Sequence, residues 1–336
     1  MEPSLTNPVG PGKGKPRSPE IRRPNFVLFF AARSAILSGG PFAFMKPFMK
    51  ITRTVTLASF AFLLASSLAA TAQPAKKVLF FSKSSGFEHS AIKHAEGQLS
   101  AAEQVLKELG EKNKIEFTFS KDGGLFTPEN IAKYDAFAFY TTGDLTKSGT
   151  DHQPPMSPEG KAAFLKAIEE GKGFVGMHSA TDTFHSPNAD NLDPYIKMIG
   201  AEFIVHADQQ KARMICADPK FPGQSAVPAD FRLLEEWYTL KWFAPNVHVL
   251  LVQDTSDMRT NGNNRCYARP PYPATWARMF GKGRVFYTSM GHREDVWTNP
   301  VFQQVLAGGL KWAVRNVDAD VTPNIDSVTP QANVHP

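Results

Sequence analysis

The chain has 336 residues, of which 42% are hydrophobic and 21% charged, with a formal net charge of +5. Nine of its 37 Lys and Arg but only two of its 32 Asp and Glu fall in residues 1–72, so the remainder holds 28 bases against 30 acids, a net −2. Without clustered positive charge, neither nucleic acid nor an anionic membrane surface is an expected partner of that remainder.

Residues 1–44 are rich in Pro, Gly and Arg and read as a disordered, over-extended start ahead of the natural one. From Met45 a basic stretch, the apolar run Val55 to Ala65 and the small residues Ala70-Thr-Ala72 describe a signal peptide over 45–72, cut after Ala72. Its apolar core is too short to span a bilayer readily. The expected location is therefore periplasmic or secreted, and the membrane is touched only if that segment stays uncleaved. Lys77 to Ser82 is an apolar run of strand type. Ala91 to Leu109 has helical spacing with Gly110 as a stop, and Ile115 to Ser120 returns to strand. Thr127-Pro-Glu opens a short helix, Ala136 to Thr141 is a third strand, Ser157-Pro-Glu caps a helix ending at Gly171, and Gly173 to Met177 is strand four. Apolar strands separated by amphipathic helices imply an α/β fold: a doubly wound, flavodoxin-like, mostly parallel sheet with helices on both faces.

The second half is richer in strand signals: Glu202 to His206, Arg213 to Ala217, Val247 to Gln253, Trp276 to Phe280 and Arg284 to Met290, then a helix over Asn299 to Val314. Gly281-Lys-Gly283 lies between two strand signals with no helix start behind it, so a hairpin turn is expected there and not a phosphate cradle. Residues 76–317 read as one domain, and the proline-bearing tail from Asp318 to Pro336 as loose. Cys216 and Cys266 leave open either a disulfide in an oxidising compartment or two separate thiols.

The segment Gly173-Phe-Val-Gly-Met-His178-Ser-Ala-Thr-Asp182 has the form of a nucleophile elbow with an imidazole where Ser or Cys would stand. His89 follows strand one, His178 strand four and His292 the last strand, which puts all three at the carboxyl edge of a parallel sheet, where ligands sit. His206 ends the strand after the elbow and reaches the same rim. With Asp182, Glu236 and Glu294 these imidazoles would supply acid–base groups, or a metal site of His178, His206 and His292 for which Zn²⁺ is the natural ion. No compact zinc signature supports that set. Tyr238 and Trp297 are the aromatics beside the histidines able to stack on a sugar.

Several ordered blocks resemble the trehalose-utilisation, ThuA-like proteins, whose fold is similar to the class I glutamine amidotransferases. They are Gly86-Phe-Glu-His89, the elbow itself, Gly200-Ala-Glu-Phe-Ile-Val-His206, Glu235-Glu-Trp-Tyr238, Pro273-Ala-Thr-Trp276, Gly281-Lys-Gly-Arg-Val-Phe-Tyr-Thr-Ser-Met-Gly-His292 and Trp297-Thr-Asn-Pro-Val-Phe302. Glu88 stands where Arg is common in that family and Glu235 where Asp is common, and a histidine-proline block expected near Phe221-Pro222 is missing. His178 replaces the amidotransferase thiolate, which excludes glutamine hydrolysis through a thioester.

The resemblance implies a small carbohydrate ligand; with the signal peptide and the histidines it makes the expectation an exported carbohydrate-processing protein, a hydrolase or lyase acting on a disaccharide or keto-glycoside. The alternative is a sugar-binding protein without catalysis on the same scaffold. On the enzymatic reading His178 is general base or metal ligand, His292 with Glu294 a second acid–base unit, Asp182 a catalytic carboxylate orienting an imidazole, and His89, Glu236, Tyr238 and Trp297 bind substrate.

Overall fold

The computed structural model describes residues 74–260 and 265–335; the expected extension and signal peptide lie outside them. Five parallel strands form one half of a nine-stranded sheet: β1 (Lys76–Phe81), β2 (Ile115–Ser120), β3 (Ala136–Phe139), β4 (Gly173–Met177) and β11 (Gly283–Thr288), in the order β2-β1-β3-β4-β11. Strands β3 and β4 are buried along their whole length, as continuous apolar runs covered on both faces must be. Their side chains alternate between two cores. Leu79, Phe81, Phe137, Phe139 and Phe174 pack with Phe164 and Ile168 of α3 (Pro158–Glu170) and Tyr195 of α4 (Pro194–Ile199). Val78, Phe80, Ala138, Val175 and Met177 pack with Leu106 of α1 (Ala101–Asn113) and Phe302, Val305 and Leu306 of α6 (Pro300–Ala313). Each such ring or aliphatic chain withdrawn from water contributes roughly 1.5–3 kcal/mol, so the period of two that divides the strands also fixes their register.

Beyond β11 the sheet turns antiparallel through β10 (Tyr272–Phe280), β9 (His248–Asp254), β6 (Gln210–Cys216) and β7 (Asp230–Glu235). Phe280 pairs with Gly283 across a two-residue turn whose Gly281 has φ +56°, so the Gly-Lys-Gly segment is a hairpin, as its sequence indicated. A separate two-stranded sheet joins β5 (Glu202–His206) to β8 (Tyr238–Lys241) and sets His206 opposite Tyr238.

Several sequence expectations shift. The helix expected over Ala91 to Leu109 divides into a 3-10 turn at Ser90–Ile92 and α1, because Gly97 takes φ +69° and Ser100 caps the new start, accepting from the Glu103 amide at 3.3 Å. Gly110 lies inside α1, and the chain turns out of it at Lys114. Helix α4 and strands β7 and β8 were not expected, although Asp193-Pro194 gives α4 the same cap-and-proline start as the helices that were. Cys216 and Cys266 are not joined in a disulfide.

The tail is docked where a loose end was expected. Asn324 bridges the Val249 backbone, accepting its N–H at 2.6 Å and donating to its carbonyl at 3.2 Å. Asn333 does the same to Phe243, at 2.7 and 3.2 Å, and α7 (Ile325–Val328) buries Ile325 between them. Asparagine suits this role because one amide offers a donor and an acceptor side by side. Asn324→Ala is expected to cost about 1–3 kcal/mol by stripping the Val249 backbone of both partners, and to lower the calorimetric Tm by several degrees. An unchanged Tm would refute the docking of the tail.

Candidate functional site

Strand β4 ends at His178, whose φ of +41° is uncommon for a residue with a Cβ and is the backbone signature of a sharp strand-to-helix turn. A five-residue 3-10 turn, His178–Asp182, follows in place of a longer helix. Ring and backbone are both fixed: the imidazole Nδ1 lies 3.0 Å from the Ser289 carbonyl, and the His178 carbonyl accepts from the Tyr287 hydroxyl at 2.7 Å. A carbonyl can only accept, so Nδ1 carries the proton and Nε2 presents its lone pair.

His292 arrives from the end of β11 through Gly291, whose φ of +119° requires glycine. The Gly291 carbonyl accepts from Tyr140 at 3.0 Å and from the Trp297 indole at 2.8 Å. The carboxylate of Glu235 accepts from the Gly291 and His292 amides at 2.8 and 3.1 Å, and its other oxygen from the Glu236 amide at 2.8 Å. One buried side chain thus ties the His292 loop to the end of β7, and neighbouring Glu236 turns toward the imidazoles.

Three atoms then face one another. His292 Nδ1 lies 3.3 Å from His178 Nε2 and 3.1 Å from Glu236 Oε2, and His178 Nε2 lies 3.5 Å from that same oxygen. His89 completes the group. Its ring centroid lies 4.9 Å from that of His178 and 5.2 Å from that of His292, with one ligand atom from each of the four residues all within 4.8 Å of one another. Nδ1 of His89 is buried without a hydrogen-bond partner.

Burial, aided by the other imidazoles, pushes His89 well below the ordinary histidine pKa, and burial lowers His178 against the opposing pull of Glu236, so both favour the neutral form. Burial alone would raise Glu236, but its close contacts with the His178 and His292 imidazoles prevail and hold the carboxylate well below the usual range. Burial lifts Glu235 to about 7, against the pull of the backbone amides it accepts from. Two neutral imidazoles, an ionised carboxylate and a third imidazole form a donor set of the kind Zn²⁺ takes. Ligands about 2.0–2.1 Å from a tetrahedral ion stand roughly 3.3 Å apart, which the three measured separations bracket. The residues therefore fit a zinc ion, and His89 gives it a fourth position.

Above this group opens a cavity of about 220 Å³. His89, Glu236 and His292 form its polar floor, Phe203 and Tyr238 one wall, and Asp182, His206 and Phe87 its rim. His178 lies beneath, fully out of solvent, so it can hold an ion or fix its neighbours but cannot itself meet a substrate. Tyr238 packs against it with ring centroids 4.2 Å apart. His206 approaches Glu236 at 3.4 Å, yet its ring stands half-exposed on the rim and belongs outside the four-atom group. In the metal set expected from sequence, its place goes to His89 and Glu236.

Two expected residues lie elsewhere. Glu294 starts the short helix α5 (Glu294–Trp297) on the surface, beside Arg293 and Asp295, because the chain leaves the site immediately after His292. Glu236 stands against His292 instead. Trp297 is wholly buried and spends its indole N–H on Gly291, so it shapes the His292 loop and offers no face to a sugar.

Sequence reading gave no role to Glu235, Phe87 or His185. The adjacent acids Glu235 and Glu236 were the one visible hint, since successive residues at a strand end face opposite ways. His185 clasps Asp182 at 2.6 Å through Nε2 and Glu202 at 3.2 Å through Nδ1, and Lys241 reaches Glu202 at 3.1 Å. The hydrogen bonds to Asp182 and then Glu202 raise His185 to about 9. Burial works against Glu202, yet hydrogen bonds from His185, Ser186 and Lys241 bring it down to about 2. The stability due to His185 is complete below its ordinary 6.5 and fades as pH rises through about 9, while that due to Glu202 is complete above 4.5 and fades as pH falls through about 2. His185→Ala is expected to lower Tm at pH 6 by a few degrees, for about 1 kcal/mol at this half-exposed position, and to change little at pH 10. Equal losses at both pH values in calorimetry would contradict the ion pair.

The sequence matches the ThuA family, described as trehalose utilisation, over residues 77–313. Among solved structures, a ThuA-like protein from Bacteroides uniformis ATCC 8492 is similar at 20% identity with a TM-score of 0.54, covering 72% of this chain and 92% of that one. A ThuA-like protein from Parabacteroides merdae ATCC 43184 is similar at 17% identity with a TM-score of 0.52, covering 74% and 92%. At such identities the likeness is one of fold. A comparison with curated proteins finds no match. With 237 consecutive residues matched, the chain belongs to the ThuA, trehalose-utilisation family.

Proposed function

We propose that this protein is an exported carbohydrate-processing enzyme, a hydrolase or lyase that cleaves a disaccharide or keto-glycoside in the histidine-lined cavity, with Zn²⁺ held by His89, His178, Glu236 and His292. The doubly wound, flavodoxin-like layout of the parallel half belongs to the same proposal. The observation that carries it is the triangle formed by His178 Nε2, His292 Nδ1 and Glu236 Oε2, with separations of 3.1–3.5 Å. With His178 Nδ1–H committed to Ser289, these atoms share too few protons to satisfy every contact, and a cation relieves the excess of lone pairs.

A bound zinc would polarise a carbonyl or hydroxyl oxygen of the sugar. The remaining work falls to the chain. Asp182, paired with His185 on the rim, presents a carboxylate able to take the proton beside a keto group. That proton is acidic because the carbanion is delocalised onto the keto oxygen, and the bond to the glycosidic oxygen then breaks. His206, also on the rim, is placed to return a proton to the departing oxygen. This elimination needs no pair of opposed carboxylates of the kind used by ordinary glycosidases. It also accounts for an elbow without Ser or Cys, since no acyl-enzyme is formed.

Elemental analysis of untagged protein should find about one zinc per chain, and His178→Ala or Glu236→Ala should lose it while the fold persists by circular dichroism. Zinc-loaded protein should release product from a glucoside or ketoglucoside, and Asp182→Asn should slow turnover by about a hundredfold or more. Protein that holds no metal under any loading condition would remove the metal centre. Saturable sugar binding without any product would leave the non-catalytic binding reading in its place.

A further inference from the structure

Phe87 is 67% exposed, the most exposed large apolar side chain among the described residues. A single exposed ring is ordinary in itself. Its setting is not. Phe87 lines the mouth of the cavity and stands perpendicular to the buried His89 ring, with centroids 4.9 Å apart. Its backbone is clamped: the Phe87 carbonyl accepts from Thr142 at 2.9 Å, the preceding Gly86 amide donates to that same hydroxyl at 3.2 Å, and the Gly86 carbonyl accepts from Thr150 at 2.5 Å. The next residue, Glu88, is anchored by Lys121 at 2.5 Å. A clamped loop therefore presents an unburied aromatic face at the entrance, at a cost in exposed apolar area that nothing among the described residues offsets.

The cavity's size says what fits below it. At about 220 Å³ it has the volume of roughly seven liquid waters, below the ~300–1,000 Å³ typical of drug-sized pockets. One sugar ring fills such a space and two do not. Its lining suits a pyranose, with Phe203 and Tyr238 for an apolar C–H face and His89, His292 and Asp182 for hydroxyls.

We propose that Phe87 is the platform for the second ring of a two-ring glycoside: one sugar occupies the cavity, and the other, on the far side of the glycosidic bond, stacks on Phe87 outside it. This rests on the carbohydrate reading above and specifies its substrate as a disaccharide or aryl glycoside, with Phe87 as the residue that selects for the outer ring. A stacked outer ring sets the glycosidic oxygen at the mouth, beside the rim groups Asp182 and His206. Aromatic contacts of this kind strengthen binding by a factor of several to tenfold.

The experiment measures affinity by isothermal titration for trehalose, which has two rings, and methyl α-glucoside, which has one, on wild-type protein, Phe87→Ala and Phe87→Tyr. Phe87→Ala should weaken trehalose about fivefold to tenfold and leave methyl α-glucoside within twofold, and Phe87→Tyr should restore trehalose binding. Because Phe87 is exposed, the variants should keep the wild-type Tm. Equal weakening of both sugars, or no weakening of either, overturns the platform while the carbohydrate reading stands. Wild-type protein that binds neither sugar overturns both.

Discussion

Two imidazole nitrogens and a carboxylate oxygen held within 3.5 Å of one another are the constraint around which this molecule is built. They share too few protons to satisfy every contact, and a chain free to relax would part them. They stay together because each is fastened from behind. Ser289 and Tyr287 hold His178, the Glu235 carboxylate holds the His292 loop by two amides, and Tyr140 and Trp297 hold the same loop through Gly291. Such outer partners fix the tautomer and direction of a ligand as firmly as the ligand's own rotamer does. Most of these buttresses are buried and give up hydrogen bonds to water that they recover only in this one arrangement.

The fold makes that convergence possible. Parallel strands end together, so His178, His89 and His292 share an edge although more than two hundred residues separate the first-occurring of them from the last. The elbow of β4 contributes a strained turn that α/β enzymes use to expose a nucleophile. Here the same turn buries an imidazole. What is exposed in its place is a rim of Asp182, His206 and Phe87 around a small polar cavity.

Charge is partitioned to match. Burial disfavours the charged form of the deepest imidazoles, whereas His185, half-exposed between two carboxylates, is held charged across the neutral range. One chain thereby keeps histidines as neutral donors at the floor of the pocket and as a cation behind its rim. The docked tail and the two apolar cores supply the stability that such a strained, polar centre draws on.

Much was legible in the chain itself. Continuous apolar runs marked β1, β3 and β4, and Ser, Thr or Asn followed by Pro marked helix starts at Thr127, Ser157 and Asn299, because these signals act within a few residues. The ordering of strands and helices also placed three histidines on one edge. Side-chain direction was not legible. Whether Glu236 or Glu294 meets His292 and whether His89 or His206 joins the central group depend on contacts across 50 to more than 200 residues, which no local pattern encodes, and Trp297 turns to a loop only six residues back instead of a ligand because burial encloses it. The sequence alone determined which residue types stand at the strand ends. Only the tertiary structure decided which of them touch, because burial and hydrogen bonding select among side chains that periodicity treats as equal.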